Sequence, residues 1–187
     1  MTDFNLSNAL TALRTQGVIA YPTESVFGLG CDPDCDISIQ KILELKKRPV
    51  SKGLILIAAN IEQLNNYADF DSLSDDQLSQ IKKTWPGAFT WVVPANKNLS
   101  KLISGDFGTV AVRVSTHSVV QDLCIEFGKP LISTSANLSG LEACINAKQV
   151  QNMFADNPLL DCIIDADVSG LGSPSQIWNA KTGLRLR

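Results

Sequence analysis

Short apolar runs alternate with helical stripes along this sequence, and no other feature constrains the fold as strongly. The strand-like runs are Val18–Ala20, Leu54–Ala58, Phe89–Val93, Thr109–Val114 and Leu131–Thr134. Between them, apolar residues recur at helical spacing, as in the stripe formed by Ile39, Ile42 and Leu43. Strands that alternate with helices are typical of α/β proteins. We therefore expect a twisted mixed β-sheet with flanking helices, in one domain over residues 1–187.

Local signals predict where several of these elements begin and end. Asn60 is expected to cap a helix, Ser74 and Gln77 form a capping-box pattern at the start of another, and Gly128 ends a third. A loop rich in Ser, Gly and Asn is expected between the strands at 89–93 and 109–114. The last predicted element is a hairpin with arms at 176–178 and 184–186.

Composition narrows the functional classes. The chain has 187 residues, of which 44% are hydrophobic and 19% are charged, an ordinary globular balance that needs no disulfides to bury a core. Its net charge of −3 argues against a protein that coats nucleic acid through a general positive field, although a local contact with tRNA stays open. Neither a signal-peptide pattern nor an apolar stretch of membrane-spanning length is present. We expect a cytoplasmic protein without a membrane partner.

Cysteine and histidine usage does not favour a metal site. The five cysteines are an odd number without secretory context, which indicates reduced thiols. Cys31 and Cys35 form the only close pair, and acidic residues are interleaved with them, but the sole histidine, His117, is distant in sequence. We therefore expect a polar loop and no structural metal. His117 precedes an apolar stripe and is interpreted as a residue at a helix start, with no catalytic role assigned.

A polar and glycine-containing stretch follows the first predicted strand. Thr23, Glu24 and Ser25 come directly after Pro22, so they stand at a strand end, where ligands bind in open α/β sheets. Gly28 and Gly30 then permit close backbone approach. From these residues alone, a ligand-binding loop and an ordinary strand followed by a glycine-containing turn both remain open.

Several cations also stand at the ends of predicted elements. Lys46 and Arg48 end a helix before Pro49, where they either stabilise the helix dipole or, with Lys52, converge on an anion. Arg113 closes a buried strand and therefore needs an anionic partner, which is either an acid of the chain or a ligand. The general nucleotide-binding loops, Gly-x-x-x-x-Gly-Lys-Ser/Thr and Gly-x-Gly-x-x-Gly after a strand, are absent from the sequence.

The stretch Tyr-Pro-Thr-Glu-Ser-Val-Phe-Gly-Leu-Gly, residues 21–30, closely resembles the signature of the YrdC/TsaC family of threonylcarbamoyl-AMP synthases. Further matches follow in order at Lys46–Pro49, Trp85–Gly87, Val110–Arg113, Lys129–Leu131 and Ser133–Asn137. The resemblance implies a YrdC-like fold with a basic concave site. It also implies the joining of L-threonine, bicarbonate and ATP into L-threonylcarbamoyladenylate with release of pyrophosphate. That product supplies the threonylcarbamoyl group of the tRNA adenosine next to the anticodon, through downstream tRNA threonylcarbamoyl-transfer proteins.

The same resemblance implies roles for individual residues. The implied ATP site consists of Lys46, Arg48, Ser135, Asn137 and Ser175, with Lys46 and Arg48 also catalytic. Mg²⁺ is implied as the companion of ATP, and Thr23 and Arg113 as the residues that bind threonine. Ser175 closes a glycine-rich loop that begins at Gly170, and the chain departs there from the family's Ser-Thr-Val-Val-Asp, which leaves an aspartate-based role unsupported.

Two other functions remain open at this point. A non-catalytic RNA-binding module of the same fold, acting in tRNA or ribosome maturation, would use the same basic concavity and would retain tRNA in a salt-dependent manner. A carbamoyl-transferring relative would not require threonine.

Overall fold

The computed structural model describes residues 3–155, 157–170 and 175–187. The helices in this part of the chain are α1 (Asp3–Arg14), α2 (Asp36–Leu45), α3 (Asp75–Thr84), α4 (Lys101–Ser104), α5 (Ser118–Phe127) and α6 (Ala147–Met153). The strands are β1 (Ile19–Pro22), β2 (Phe27–Gly30), β3 (Ile55–Ala58), β4 (Phe89–Pro94), β5 (Thr109–Val114), β6 (Leu131–Ser135), β7 (Cys162–Ile163) and β8 (Gln176–Asn179).

The described strands form one mixed sheet with the order β7-β1-β2-β6-β3-β5-β4-β8. Strand β6 runs antiparallel to both of its neighbours, β2 and β3, whereas β3 pairs with β5 in parallel and β4 pairs with β8 in parallel. The expected α/β fold with a mixed sheet and flanking helices is confirmed. Strands distant in sequence thereby become neighbours, and their ends meet around one concavity.

Alternate side chains of the strands point to opposite faces of the sheet and enter two cores. On β3, Leu56 packs in the core that contains α2, and Ile57 packs in the core between α1 and α5. Both side chains are at least 99% buried. Burying a leucine or isoleucine to this extent contributes about 1.5–3 kcal/mol, so each face holds its helices chiefly through such contacts.

The glycine-containing stretch after β1 is a strand, which the sequence did not predict. Phe27–Gly30 is β2, and it pairs antiparallel with β1 so that Tyr21 lies opposite Gly28. A Cβ atom on Gly30 would lie 2.6 Å from the carbonyl oxygen of Ile132 and 2.7 Å from the Tyr21 ring. Gly30 is therefore needed for close packing inside the protein, and the polar residues occupy the hairpin loop.

Several predicted helix ends are confirmed. Ser74 and Gln77 form the capping box that begins α3, and Gly128 ends α5 in the left-handed conformation with φ of 84°. His117 is the N-cap of α5: its Nδ1 accepts from the Val119 N–H at 3.3 Å, and its Nε2 lies 3.0 Å from the carbonyl oxygen of Asp167. This pattern fits a neutral ring with the proton on Nε2.

Three local expectations differ from the structure. The helix expected after Asn60 is a single 3₁₀ turn, Glu62–Leu64, although Asn60 does accept a hydrogen bond from the Gln63 N–H. The segment expected to be a loop between β4 and β5 contains α4. The second arm of the expected final hairpin is an isolated bridge between Trp178 and Arg185 rather than a strand. Most of the glycine-rich loop after Gly170, residues 171–174, lies outside the described part.

Candidate active site

A cavity of about 590 Å³ opens between the β1–β2 loop, the end of β6, strands β5 and β8, and the segment 48–54. This volume is within the range of small-molecule sites. The charged side chains among its described lining residues are Arg48, Lys52, Arg113 and Arg187. No described lining residue has an acidic side chain. The cavity is thus built for an anionic ligand.

Arg113 lines this cavity and is also paired within the protein. Its Nη2 forms an ion pair with Oε2 of Glu24, a residue of the β1–β2 loop that is only 1% exposed, and its Nε donates to the carbonyl oxygen of Gly87 at 3.2 Å. The acid of the chain is therefore the anionic partner that the structure shows, and the guanidinium that it orients also lines the cavity.

Glu24 is held as a carboxylate. Its Oε1 accepts hydrogen bonds from the Ser115 hydroxyl at 2.9 Å and from the Thr116 N–H at 3.0 Å. Burial alone would raise the pKa of Glu24, but Arg113 and these donors outweigh it and keep the pKa below its usual value. Glu24 is consequently a poor proton acceptor near neutral pH, and its geometry suits the positioning of Arg113.

Thr23 occupies the start of the same loop and is 94% buried, with an exposed fraction of 6%. Its hydroxyl donates to the carbonyl oxygen of Val26 at 2.7 Å, and the Thr23 N–H donates to the same oxygen at 3.0 Å. The hydroxyl oxygen keeps its acceptor capacity toward the cavity that Thr23 lines. Thr23 can therefore accept a hydrogen bond from an ammonium or hydroxyl group.

Arg48 uses one edge of its guanidinium to hold the cavity wall. Its Nη2 and Nε donate to the carbonyl oxygen of Gly53 at 2.9 and 3.2 Å. The side chain lines the cavity, and burial lowers the pKa of Arg48. Because the fork has five N–H donors, it can hold Gly53 and still present donors to a ligand.

Lys46 lies behind the wall rather than on it. The side chain is 5% exposed, and its ammonium donates to the Ser135 carbonyl oxygen, to the Asn137 carbonyl oxygen at 2.7 Å and to Asn137 Oδ1 at 3.1 Å. Burial, with the nearby charge of Arg48, lowers the pKa of Lys46 to about 8. The expected convergence of Lys46 with Arg48 on the cavity is not what this geometry shows, because its three donors point to the loop after β6.

Ser135 and Asn137 form that loop together. The Ser135 hydroxyl donates to Asn137 Oδ1 at 2.6 Å, and Asn137 Nδ2 donates to the carbonyl oxygen of Leu141 at 2.7 Å. Ser135 lines the cavity and is exposed, whereas Asn137 is not among the described lining residues. The loop therefore offers a hydroxyl to a ligand and uses its amide for internal bonds.

Ser175 lines the cavity from the opposite side. It lies beside Arg187, a cation that the sequence did not predict as a site residue. The Ser175 hydroxyl lies 2.9 Å from the Thr90 hydroxyl, and Arg187 Nη2 donates to the Ser175 carbonyl oxygen at 3.1 Å. Partial burial and the neighbouring charge of Arg113 lower the pKa of Arg187. The hairpin expected after Ser175 could have predicted this position for Arg187, because the second arm of such a hairpin returns residue 187 to the side of residue 175.

The acidic loop around Cys31 and Cys35 holds a lysine. Lys129 Nζ lies 2.7 Å from Asp32 Oδ1 and 2.8 Å from Asp34 Oδ2, and the Tyr67 hydroxyl donates to Asp34 at 2.9 Å. Within the described ranges, no group of three or more His, Cys, Asp or Glu residues is arranged to hold a metal ion.

The described helices also include none that is long and apolar enough to cross a membrane.

The fold and the cavity together define a class: an α/β protein with a cleft whose charged described side chains are all cationic. The family model described as "Telomere recombination", which joins Sua5, YciO and YrdC proteins, matches residues 11–186. The chain therefore belongs to the Sua5/YciO/YrdC family.

Relatives within this family carry names that specify an activity. A protein of Psychromonas ingrahamii named threonylcarbamoyl-AMP synthase is 65% identical over 182 residues, which cover 97% of this chain and 95% of that protein. One of Vibrio campbellii with the same name is 51% identical, with 98% of both chains covered. The structure of P. abyssi Sua5 complexed with L-threonine matches with a TM-score of 0.87 and 30% identity. That match covers 96% of this chain and only 52% of the Sua5 chain.

Proposed function

We propose that this chain is a threonylcarbamoyl-AMP synthase that joins L-threonine, bicarbonate and ATP into L-threonylcarbamoyladenylate and pyrophosphate. The names of its full-length relatives support this activity. The structural observation that carries this proposal is the cavity of about 590 Å³. Among the described residues that line it, every charged side chain is cationic. A site for a triphosphate and an amino-acid carboxylate needs this excess of positive charge.

The reaction has an electrostatic problem that the cavity addresses. The threonine amine and bicarbonate must first condense to a carbamate, with loss of water. An anionic carbamate oxygen must then form a bond to the α-phosphorus of ATP while the bond from that phosphorus to pyrophosphate breaks. Fixed cations lower the electrostatic repulsion between these groups. Holding both substrates in one cavity also reduces the entropic cost of bringing them together for the reaction. We assign the triphosphate to the wall formed by Arg48, Lys52 and Ser135. Lys46 and Asn137 support that wall from behind, and Ser175, the residue before β8, faces it.

Threonine is assigned to the opposite wall. The carboxylate would pair with Arg113, which Glu24 and the Gly87 carbonyl oxygen hold in place. The Thr23 hydroxyl, fixed by its bond to Val26, would accept from the threonine ammonium or hydroxyl group. Phe107 and Leu186 line the cavity and are more than half exposed, and they offer apolar surface to a nucleobase.

The donor set does not fit a protein-held Mg²⁺ ion. Magnesium in nucleotide sites is bound through one or two carboxylates together with phosphate oxygens. The described lining residues include no Asp or Glu, and Glu24 beside them is already committed to Arg113, Ser115 and Thr116. No step of the reaction is therefore assigned to a metal held by this chain.

The wider setting follows from the product. We propose that a tRNA threonylcarbamoyl-transfer protein consumes the adenylate in the cytoplasm, because a mixed carbamoyl-phosphate anhydride is an activated group donor. Direct contact with tRNA is not required for the synthesis itself.

Pyrophosphate release from ATP tests the proposed function. Release should require both L-threonine and bicarbonate, and removal of either should return it to background. Release without threonine would instead indicate carbamoyl-transfer chemistry, and the absence of release under all conditions would overturn the proposal.

A further inference from the structure

We propose that Lys46 is a positioning residue whose ammonium clamps the loop 135–137 in place, rather than a ligand of the ATP phosphates. The inference rests on the proposed function, because that loop is assigned to the triphosphate wall. It differs from the expectation drawn from the sequence, in which Lys46 and Arg48 act side by side on the nucleotide.

The contacts of the ammonium carry the proposal. An –NH₃⁺ group has three donors, and Lys46 directs them at three oxygens of one loop: the carbonyls of Ser135 and Asn137 and the Asn137 side-chain oxygen. Its side chain is 5% exposed and is not among the described lining residues of the cavity. A phosphate ligand would need at least one donor that faces the cavity.

Lys46 adds a charged donor to a loop that neutral hydrogen bonds also hold, among them Ala136 N–H to the Phe27 carbonyl oxygen at 2.8 Å and Asn137 Nδ2 to the Leu141 carbonyl oxygen at 2.7 Å. Asn137 Oδ1 accepts from both Lys46 and the Ser135 hydroxyl, so one oxygen links the buried cation to the side chain that lines the cavity. Hydrogen bonds with a charged donor are worth more than neutral ones, so this link fixes the loop firmly. Loss of the ammonium would release the Ser135 hydroxyl from its orientation while Arg48 and Lys52 stay in place.

Amide hydrogen exchange of the nucleotide-free protein provides the first test, with Lys46→Met compared with Lys47→Met. Both changes remove one positive charge at adjacent positions, but Lys47 is exposed and stands outside the proposed site. We expect exchange across residues 135–141 to become roughly 10-fold faster in Lys46→Met and to stay unchanged in Lys47→Met. This readout needs no catalysis, so it remains informative even if pyrophosphate release fails.

Kinetics provides the second test, with Lys46→Gln as a variant that keeps amide donors without charge. A clamp predicts a fall in kcat of roughly 10-fold or more in Lys46→Met, a smaller change in KM for ATP, and partial recovery in Lys46→Gln. A direct phosphate ligand predicts unchanged exchange in the free protein and an equal rise in KM for ATP in both variants. That second set of results would overturn the proposal, and Lys46→Gln alone decides it if Lys46→Met does not fold.

Discussion

Arg113 shows how one side chain can be both part of the buried structure and part of a cavity wall. Its partner Glu24 is buried, and removing one member of a buried ion pair costs about 3–5 kcal/mol because the other charge is left alone. The same pair leaves the guanidinium at a fixed place on the cavity wall. A variant at this position therefore changes stability and substrate use together, and the two effects must be measured separately.

We expect Arg113→Gln to weaken threonine use far more than ATP binding, because its position suits a single carboxylate. Loss of a charge-assisted hydrogen bond of about 1.5–3 kcal/mol corresponds to a rise in the apparent KM for threonine of roughly 10- to 100-fold. Steady-state kinetics with each substrate varied would measure this. Glu24→Gln is the matched control, since it removes the ion pair but keeps the cation, and it should retain more threonine affinity. Equal losses for threonine and ATP in Arg113→Gln would contradict the assignment.

Arg48 has a planar fork that a lysine cannot replace. It holds the Gly53 carbonyl oxygen through two nitrogens and still faces the cavity. We expect Arg48→Lys to lower turnover by roughly 100-fold with little change in melting temperature, because an ammonium lacks the planar fork that binds Gly53 along one edge and presents further N–H donors to a phosphate. Lys47→Gln, which changes an exposed neighbour, should leave turnover intact. Near-normal turnover in Arg48→Lys would show that charge alone suffices there.

At the scale of elements, sequence reasoning succeeded where the signal was local. The Ser74–Gln77 capping box and the Gly128 stop depend on neighbouring residues only, and both are present. Strand β2 was missed because two glycines disfavour a strand by propensity, whereas the space beside the Ile132 carbonyl oxygen requires Gly30. The same limit applies to the site. The cations could be found from residue type, but the burial of Lys46 under the loop after β6 depends on residues 89 positions away.

Two turns that form one wall of the cavity meet at Gly105. Its φ is 64°, and a Cβ atom there would lie 2.6 Å from the Ser51 carbonyl oxygen and 2.8 Å from the Gly53 nitrogen. We expect Gly105→Ala to destabilise the protein by about 1–3 kcal/mol and to weaken ATP binding, because the displaced segment carries Lys52 and the carbonyl that Arg48 holds. Thermal unfolding and equilibrium ATP binding would measure the two effects.

Gly108 gives the control for that change within the same connection. Apart from its chain neighbours, no described residue has an atom within 4 Å of a Cβ placed on Gly108, so Gly108→Ala should leave stability and ATP binding close to those of the unchanged protein. If Gly105→Ala and Gly108→Ala had the same stability and the same ATP affinity, the close backbone contact at Gly105 would not be what positions the cavity wall.

At the scale of the whole molecule, charge is distributed unevenly. The net charge is −3, yet the charged side chains among the described lining residues of the cavity are Arg48, Lys52, Arg113 and Arg187. Such a distribution favours a small polyanion that enters the cavity over a nucleic acid that covers the surface.

We therefore expect ATP to stabilise the folded protein and tRNA to do so weakly. At 100 times its Kd, a ligand of the folded state adds about 2.7 kcal/mol, which for a chain of this size raises Tm by roughly 5–10 °C. Thermal shift with ATP, compared with filter retention of tRNA over a salt series, would measure both. Strong salt-dependent retention of tRNA without any shift from ATP would favour the RNA-binding module.

The parallel pairing of β8 with β4 has a consequence for the order in which the protein becomes functional during synthesis. Ser175, Ile177, Asn179, Leu186 and Arg187 line the cavity, and β8 covers the outer edge of β4. A nascent chain that has emerged only to residue 170 lacks this wall and carries an unpaired edge strand, a known hazard for aggregation. Nucleotide binding should then arise abruptly during translation, when residues 175–187 have emerged and docked, rather than growing in step with chain length.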